Sequence, residues 1–197
     1  LGARLRERFG TQRPVFLAAS TREGEESLIL DAVAGLDVPD LLTVLVPRHP
    51  QRFAEVEALL RRRGLACRRR SDEQAPAASE AFVLGDSMGE MFAYYAACDL
   101  AFVGGSLLPL GGQNLLEACA VGRPVIVGPH TFNFQQATEG AIQAGAAQRV
   151  GSVTELRDAI RELMANPARR AAMSEAGRAF TAAHRGATAR TLELLKW

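Results

Sequence analysis

The stretch from Ala101 to Phe134, AFVGGSLLPLGGQNLLEACAVGRPVIVGPHTFNF, does most to limit what this chain can fold into. Ala101-Phe102-Val103 is short and apolar, as a strand buried on both faces of a parallel sheet is. Gly104, Gly105, Gly111 and Gly112 bracket the loop that follows. Gln113 and Asn114 stand where a helix begins, and Leu115, Leu116, Ala118, Cys119 and Val121 supply its apolar face. Gly122 and Pro124 stop that helix, and Pro124-Val125-Ile126-Val127 is a second buried strand. Loops at the carboxyl ends of such strands are where open α/β sheets bind ligands. Helix amino termini there offer free N–H groups and partial positive charge to phosphates. The first inference is a small anionic ligand of nucleotide type.

The same alternation runs through the rest of the chain. Strand-like runs occur at 14–19, 41–46, 65–69, 81–84, 99–103, 124–127 and 146–150. Helical patterns occupy 3–9, 25–34, 51–63, 88–97, 135–143, 153–165, 167–183 and 187–196. Such alternation predicts the α/β class, with a Rossmann-like, doubly wound parallel sheet covered on both faces. A length of 197 residues suits one domain, 1–197, with 153–197 as a helical carboxyl-terminal extension. The opening LGARLRERFG reads as the end of a helix entered from upstream, so a fragment of a longer chain is expected.

Composition excludes more than it identifies. Hydrophobic residues make up 48% and charged residues 23%, the balance of an ordinary globular domain. A net charge of +1 gives no electrostatic case for nucleic acid. Cys67, Cys98 and Cys119 are odd in number and lack CxxC spacing, which fits a reducing cytoplasm rather than a disulfide framework. His49, His130 and His184 are too scattered for a zinc site, and no metal or cofactor is expected. No apolar run approaches membrane-spanning length.

Each candidate loop follows a strand, and each has a plain structural explanation beside the functional one. Arg48, in Pro47-Arg48-His49-Pro50, is either a solvated loop arginine or a two-pronged anion contact. Ser87-x-x-Glu90 has the spacing of a capping box. The same turn, Met88-Gly89-Glu90, would let a flat base approach the backbone at Gly89. Asn114 and Glu117 lie three apart on the first turn of a helix. There Asn114 could cap the helix and donate to a phosphate, while Glu117 could accept from both hydroxyls of a ribose. In GPHTFNF, Phe132 and Phe134 are expected to be buried, with His130 or Asn133 facing a cleft. Ser20 and Thr21 end the first strand, and Gly24 could open a phosphate turn, although the Gly-Lys-Ser/Thr core of a P-loop is missing. Acidic Glu25 and Glu26 suit a helix dipole. Arg61-Arg62-Arg63 and Arg68-Arg69-Arg70 form either a solvated surface or a patch for anionic lipid headgroups.

Taken together and in order, PRHPQRF, GDSMGEM, FVGGS, GGQNLLEACAVGRPVIVGPHTFNF resemble the carboxyl-terminal half of bacterial 3-deoxy-D-manno-octulosonic acid (Kdo) transferases. The resemblance spans roughly Pro14 to Val150. It implies a GT-B architecture, in which this half binds the donor CMP-Kdo and an amino-terminal half binds a lipid A precursor. It places the CMP contacts on Pro47, Arg48, Met88, Gly89, Glu90, Asn114, Leu115, Leu116 and Glu117. Ser20, Gly105, His130 and Asn133 are further donor-site candidates. The general base is expected outside this chain, so no catalytic residue is assigned here, and transfer would invert the anomeric carbon. The implied location is the cytoplasmic face of the bacterial inner membrane, with peripheral membrane contact. A UDP-sugar GT-B transferase or 2-epimerase, and a non-catalytic nucleotide-binding domain, remain alternatives at this point.

Overall fold

The computed structural model describes residues 1–72 and 74–184; the helix expected at 187–196 lies outside them. The chain opens with α1 (Gly2–Phe9), then β1 (Val15–Thr21), α2 (Glu25–Val33) and β2 (Leu42–Pro47). A 3-10 turn (Pro50–Arg52) leads into α3 (Phe53–Arg62), followed by β3 (Cys67–Arg69) and β4 (Phe82–Leu84). Next come α4 (Met91–Ala97), β5 (Leu100–Val103), α5 (Leu116–Val121) and β6 (Val125–Val127). A second such turn (Phe132–Phe134), α6 (Gln135–Gln143), β7 (Ala147–Arg149), α7 (Val153–Ala165) and α8 (Pro167–His184) complete the described chain.

The seven strands form one sheet in the order β3-β4-β2-β1-β5-β6-β7, and every pairing is parallel. β1 is central. Its chain continues outward through β2 on one side, and β5 returns to pair on the other, with Phe16 opposite Leu100 and Ala19 opposite Val103. The order therefore reverses between β1 and β5, and the crevice above that point is where such sheets hold ligands.

Side chains of β1 alternate between the two faces, as period-two geometry requires. Val15, Leu17 and Ala19 join one core with Leu5, Phe9, Tyr94, Tyr95, Leu115 and Cys119. Phe16 and Ala18 join the other with Ile29, Leu30, Val56, Leu60, Leu156 and Ile160. Because both faces are covered, strands read as unbroken apolar runs, and full burial of each large side chain contributes about 1.5–3 kcal/mol. α7 belongs to this layer, with Leu156, Ile160 and Leu163 fully buried. Asp99, just before β5, accepts from the Val15 N–H (2.9 Å) and pairs with Arg6 of α1 (3.0 Å), which sets the start of β1.

At the other end, β1 breaks register between Ala19 and Thr21. Ser20 there has φ 54°, a left-handed conformation that non-glycine residues avoid. Gly104 packs against this bulge. A Cβ on Gly104 would lie 2.7 Å from both Ser20 O and Thr21 Cα, so only glycine permits the approach.

Candidate functional site

A cleft of about 420 Å³ opens above the β1/β5 reversal. Ser20 contributes to it from the end of β1, and Val46, Pro47 and Arg48 from the end of β2. The turn after β4 adds Ser87, Met88, Gly89 and Glu90, and α4 adds Met91, Tyr94 and Tyr95. Gln113, Asn114 and Glu117 come from the approach to α5 and its first turn, and Phe134 closes the rim.

The β2 loop enters the site because the Arg48 N–H donates to Thr21 O (2.9 Å), continuing the sheet ladder one residue beyond β2. The Arg48 side chain is exposed and, among the described residues, makes no ion pair or hydrogen bond. Its fork of donors stands unpaired at the cleft. Asn114 Oδ1 accepts from the Leu116 N–H (3.0 Å), so this side chain does help to start α5 while its amide group remains available. Glu117 sits half-buried one turn along, with no partner among the described residues.

The expected capping box is not formed. Gly89 adopts φ 74°, which a first helical turn cannot contain, so α4 begins at Met91 rather than at residue 88. Freed from capping, Ser87 Oγ donates to Glu90 Oε2 (2.6 Å) and lies 2.8 Å from the Tyr94 hydroxyl. Arg70 reaches the other Glu90 oxygen (3.2 Å) from the strand-edge segment. The turn 87–90 is thus held by side chains, and it leaves Met88 and Gly89 exposed on the cleft wall.

Burial pushes the Tyr94 phenol up to about 12, against the opposing hydrogen bond from Ser87. Tyr95 is raised as well, first by burial and then by the nearby Glu117 charge. Its side chain is 1% exposed and its hydroxyl has no hydrogen-bond partner among the described residues. Tyr95 lines the cleft, so its hydroxyl is open on that side rather than sealed in the core.

The remaining candidates are placed differently. Leu115 is fully buried in the core, and the Leu116 side chain lines a separate hollow with Ala137, Gly140 and Phe180. Their part in the cleft is to carry the backbone between Asn114 and Glu117. Gly105, His130 and Asn133 are not among the lining residues. The Gly105 N–H is engaged by Glu25, His130 N–H by Ser106 O, and Asn133 Nδ2 by Leu110 O. Phe132, expected to be buried, is 60% exposed. The 3-10 turn lays it and Asn133 over Gly111, where no room remains for a side chain, so it cannot reach the core.

The arginine cluster is laced locally. Arg63 pairs with Asp31 (2.5 Å), Arg68 with Glu80 (3.0 Å), Arg69 with Glu57 (2.5 Å) and Arg61 with Glu57 (3.7 Å). Less of its charge is therefore open to an anionic surface. Among the described residues no three His, Cys, Asp or Glu side chains gather as a metal site, and no helix is long and apolar enough to cross a membrane.

Sequence reasoning missed Tyr94, Tyr95, Gln113 and Arg70. The only available signal was the pair of tyrosines in the otherwise apolar MFAYYAA helix, where a phenol needs a polar outlet.

Comparison with known proteins bears on this cleft. Residues 66–180 match the family described as glycosyl transferases group 1. A 3-deoxy-D-manno-octulosonic acid transferase of Bordetella pertussis is 54% identical over 192 residues, covering 94% of this chain and 45% of that protein. The one from Haemophilus influenzae is 40% identical over 195 residues, covering 98% of this chain and 46% of that protein. The chain thus spans about half the length of these relatives. The crystal structure of the C-terminal CMP-Kdo binding domain of WaaA from Acinetobacter baumannii superposes with a TM-score of 0.85 at 35% identity, covering 91% of this chain and 95% of that one. Sequence and fold agree that this chain belongs to the group 1 glycosyltransferases, and within them to the Kdo transferases, whose carboxyl-terminal domain it matches.

Proposed function

We propose that the cleft binds the CMP portion of CMP-Kdo and presents the sugar for transfer to a lipid A precursor in lipopolysaccharide biosynthesis. The observation that carries this is convergence. Pro47-Arg48, Met88-Gly89-Glu90 and the pair Asn114 and Glu117 lie far apart in sequence, yet all border one cleft at the strands' carboxyl ends. The similar A. baumannii domain is described as CMP-Kdo binding. In this reading the exposed turn at Met88 and Gly89 receives the base. Glu117 accepts from the ribose hydroxyls, and Arg48 with the Asn114 amide faces the phosphate.

In the transfer, an acceptor hydroxyl attacks the anomeric carbon, the bond to the phosphate oxygen breaks with inversion, and CMP leaves. Charge grows on that phosphate as the bond breaks, and a pre-placed guanidinium stabilises it without reorganising. The group that takes the acceptor proton, the acceptor itself and any contact with the cytoplasmic face of the inner membrane are assigned to parts of the protein outside this chain. The chain alone then binds donor without turning it over.

Calorimetric titration tests this directly. CMP is expected to bind more tightly than UMP or UDP, and Arg48→Ala and Glu117→Ala each to weaken CMP by roughly tenfold, the worth of a charge-assisted hydrogen bond. Neither side chain is fully buried, so both variants are expected to melt near the wild type. Tighter binding of a uridine nucleotide would sink the CMP assignment. Two unfolded variants would instead show that these side chains serve the fold.

A further inference from the structure

Glu25 and Glu26, adjacent at the start of α2, are 0% and 1% exposed and touch no part of the cleft lining assigned above except through other residues. Glu26 accepts from Thr21 Oγ1 (2.7 Å) and from both terminal nitrogens of Arg52 (2.5 and 3.1 Å). It thereby ties the segment after β2 to the end of β1. Glu25 serves the glycine-rich loop after β5, which lies behind the lining. Its Oε1 accepts from the Ser106 and Leu107 N–H groups (both 2.9 Å). Its Oε2 accepts from the Gly105 N–H (2.5 Å) and the Arg22 N–H (2.9 Å).

Three successive backbone N–H groups aimed at one point make the kind of concavity that cradles phosphates in many nucleotide sites. Here a side chain from 80 residues earlier fills it. A carboxylate offers about four acceptor positions, and four donors occupy them, so nothing remains for an incoming group. The loop is fixed from its other side too. Ser106 Oγ donates to Val103 O (2.6 Å) and accepts from the Gly128 N–H (2.8 Å), joining the ends of β5 and β6.

We propose that Glu25 is the resident anion of the glycine-rich loop, a positioning residue whose carboxylate stands where a phosphate would otherwise bind. Gly105 to Leu107 then form a fixed support that holds the approach to Asn114 and Glu117 in place, through the Gly112 N–H donating to Gly105 O (2.6 Å), and they do not bind the donor phosphate. The affinity arm of the test rests on the nucleotide reading of the cleft; the amide arm does not.

The experiment follows the amide signals of Gly105, Ser106 and Leu107 in this chain labelled with ¹⁵N, with inorganic phosphate and sodium formate as probes. In the wild type neither anion is expected to move them. In Glu25→Ala, formate is expected to move all three saturably. CMP affinity is expected to fall by roughly tenfold in that variant and to recover with formate, a rescue that lost packing alone would not show. Movement of the three signals by phosphate in the wild type overturns the proposal, as does a Glu25→Ala variant that binds CMP within about twofold of the wild type. Should Glu25→Ala fail to fold, Glu25→Gln replaces it, keeping the shape but turning an amide NH2, itself a donor, toward two of the N–H groups. Shifted signals for Gly105 to Leu107 with roughly fivefold weaker CMP binding support the proposal, and unchanged signals and affinity overturn it. If the wild type binds no CMP, the nucleotide reading fails while the amide arm still decides the role of Glu25.

Discussion

Gly104→Ala puts the β1/β5 crevice under direct test. The new Cβ would start 2.7 Å from Ser20 O and from Thr21 Cα, whereas ordinary contacts begin near 3.4 Å. The two strands must therefore separate by about 0.7 Å at this point, the difference between those distances. Both obstructing atoms belong to the backbone, so no side chain can rotate away. The Gly104 N–H also donates to Ala19 O (2.8 Å), and a shift of that size leaves this bond at the edge of useful geometry. Overpacking costs about 1–3 kcal/mol and the weakened hydrogen bond about 1 more, giving about 2–4 kcal/mol. For a domain of this size that lowers Tm by roughly 4–16 °C. Ser20 lines the cleft, so CMP affinity is expected to fall as well. Gly145→Ala is the control. It carries φ 79° but has nothing within 4 Å, so it costs only the left-handed strain of a Cβ, about 1–2 kcal/mol, and leaves binding alone. Scanning calorimetry and CMP titration on the three proteins decide the matter. A Gly104→Ala protein that melts and binds like the wild type would refute the tight crevice and the reasoning built on Ser20.

Arg52→Ala strands the buried Glu26 carboxylate with only the Thr21 hydroxyl, and loss of one partner from such a pair costs about 3–5 kcal/mol in urea unfolding. Adding Glu26→Gln to it is expected to recover part of that loss; a double variant no better than Arg52→Ala would show that the pair is not coupled. Stability is also expected to fall with rising alkalinity. Burial raises the Cys98 thiol to about 12 and, with smaller opposing hydrogen bonds, Cys119 to about 11, so the folded thiols stay protonated where unfolded ones begin to ionise near 9.0. The unfolded state then holds fewer protons, and each thiol removes up to about 1.4 kcal/mol per pH unit above that point. Urea midpoints measured from pH 8 to 11 are expected to drop less steeply in Cys98→Ala, and an unchanged slope counts against this account.

The sheet was readable because burial on both faces writes strands as unbroken apolar runs, PVFLAA and LLTVLV above all. The cleft was readable in part for a topological reason. In a parallel sheet every loop after a strand arrives at the same edge, so Arg48, Met88 to Glu90, Asn114 and Glu117 could be grouped without coordinates. What could not be read depended on distant partners. Glu25 has the sequence look of a residue that complements a helix dipole, and nothing nearby in the chain announces Gly105 to Leu107. Ser87 and Glu90 carry capping-box spacing, but the positive φ of Gly89 decides otherwise. Phe132 is apolar and still lies on the surface, because a 3-10 turn over Gly111 leaves it no path inward.

The central place of β1 also has a consequence for synthesis on the ribosome. β1 is the first strand of this sheet to be made, and β2 covers one of its edges within the next few dozen residues. The other edge waits for β5, whose first residue is Leu100. At roughly 5–20 residues per second, the roughly 80 residues between Thr21 and Leu100 take about 4–16 s to emerge. Throughout that interval the nascent chain carries an open strand edge flanked by Phe16, Leu17 and Ala18, the kind of template that recruits another chain. Nascent chains stalled before Leu100 thus keep this edge open to a chaperone or another chain, and the arrival of β5 closes it.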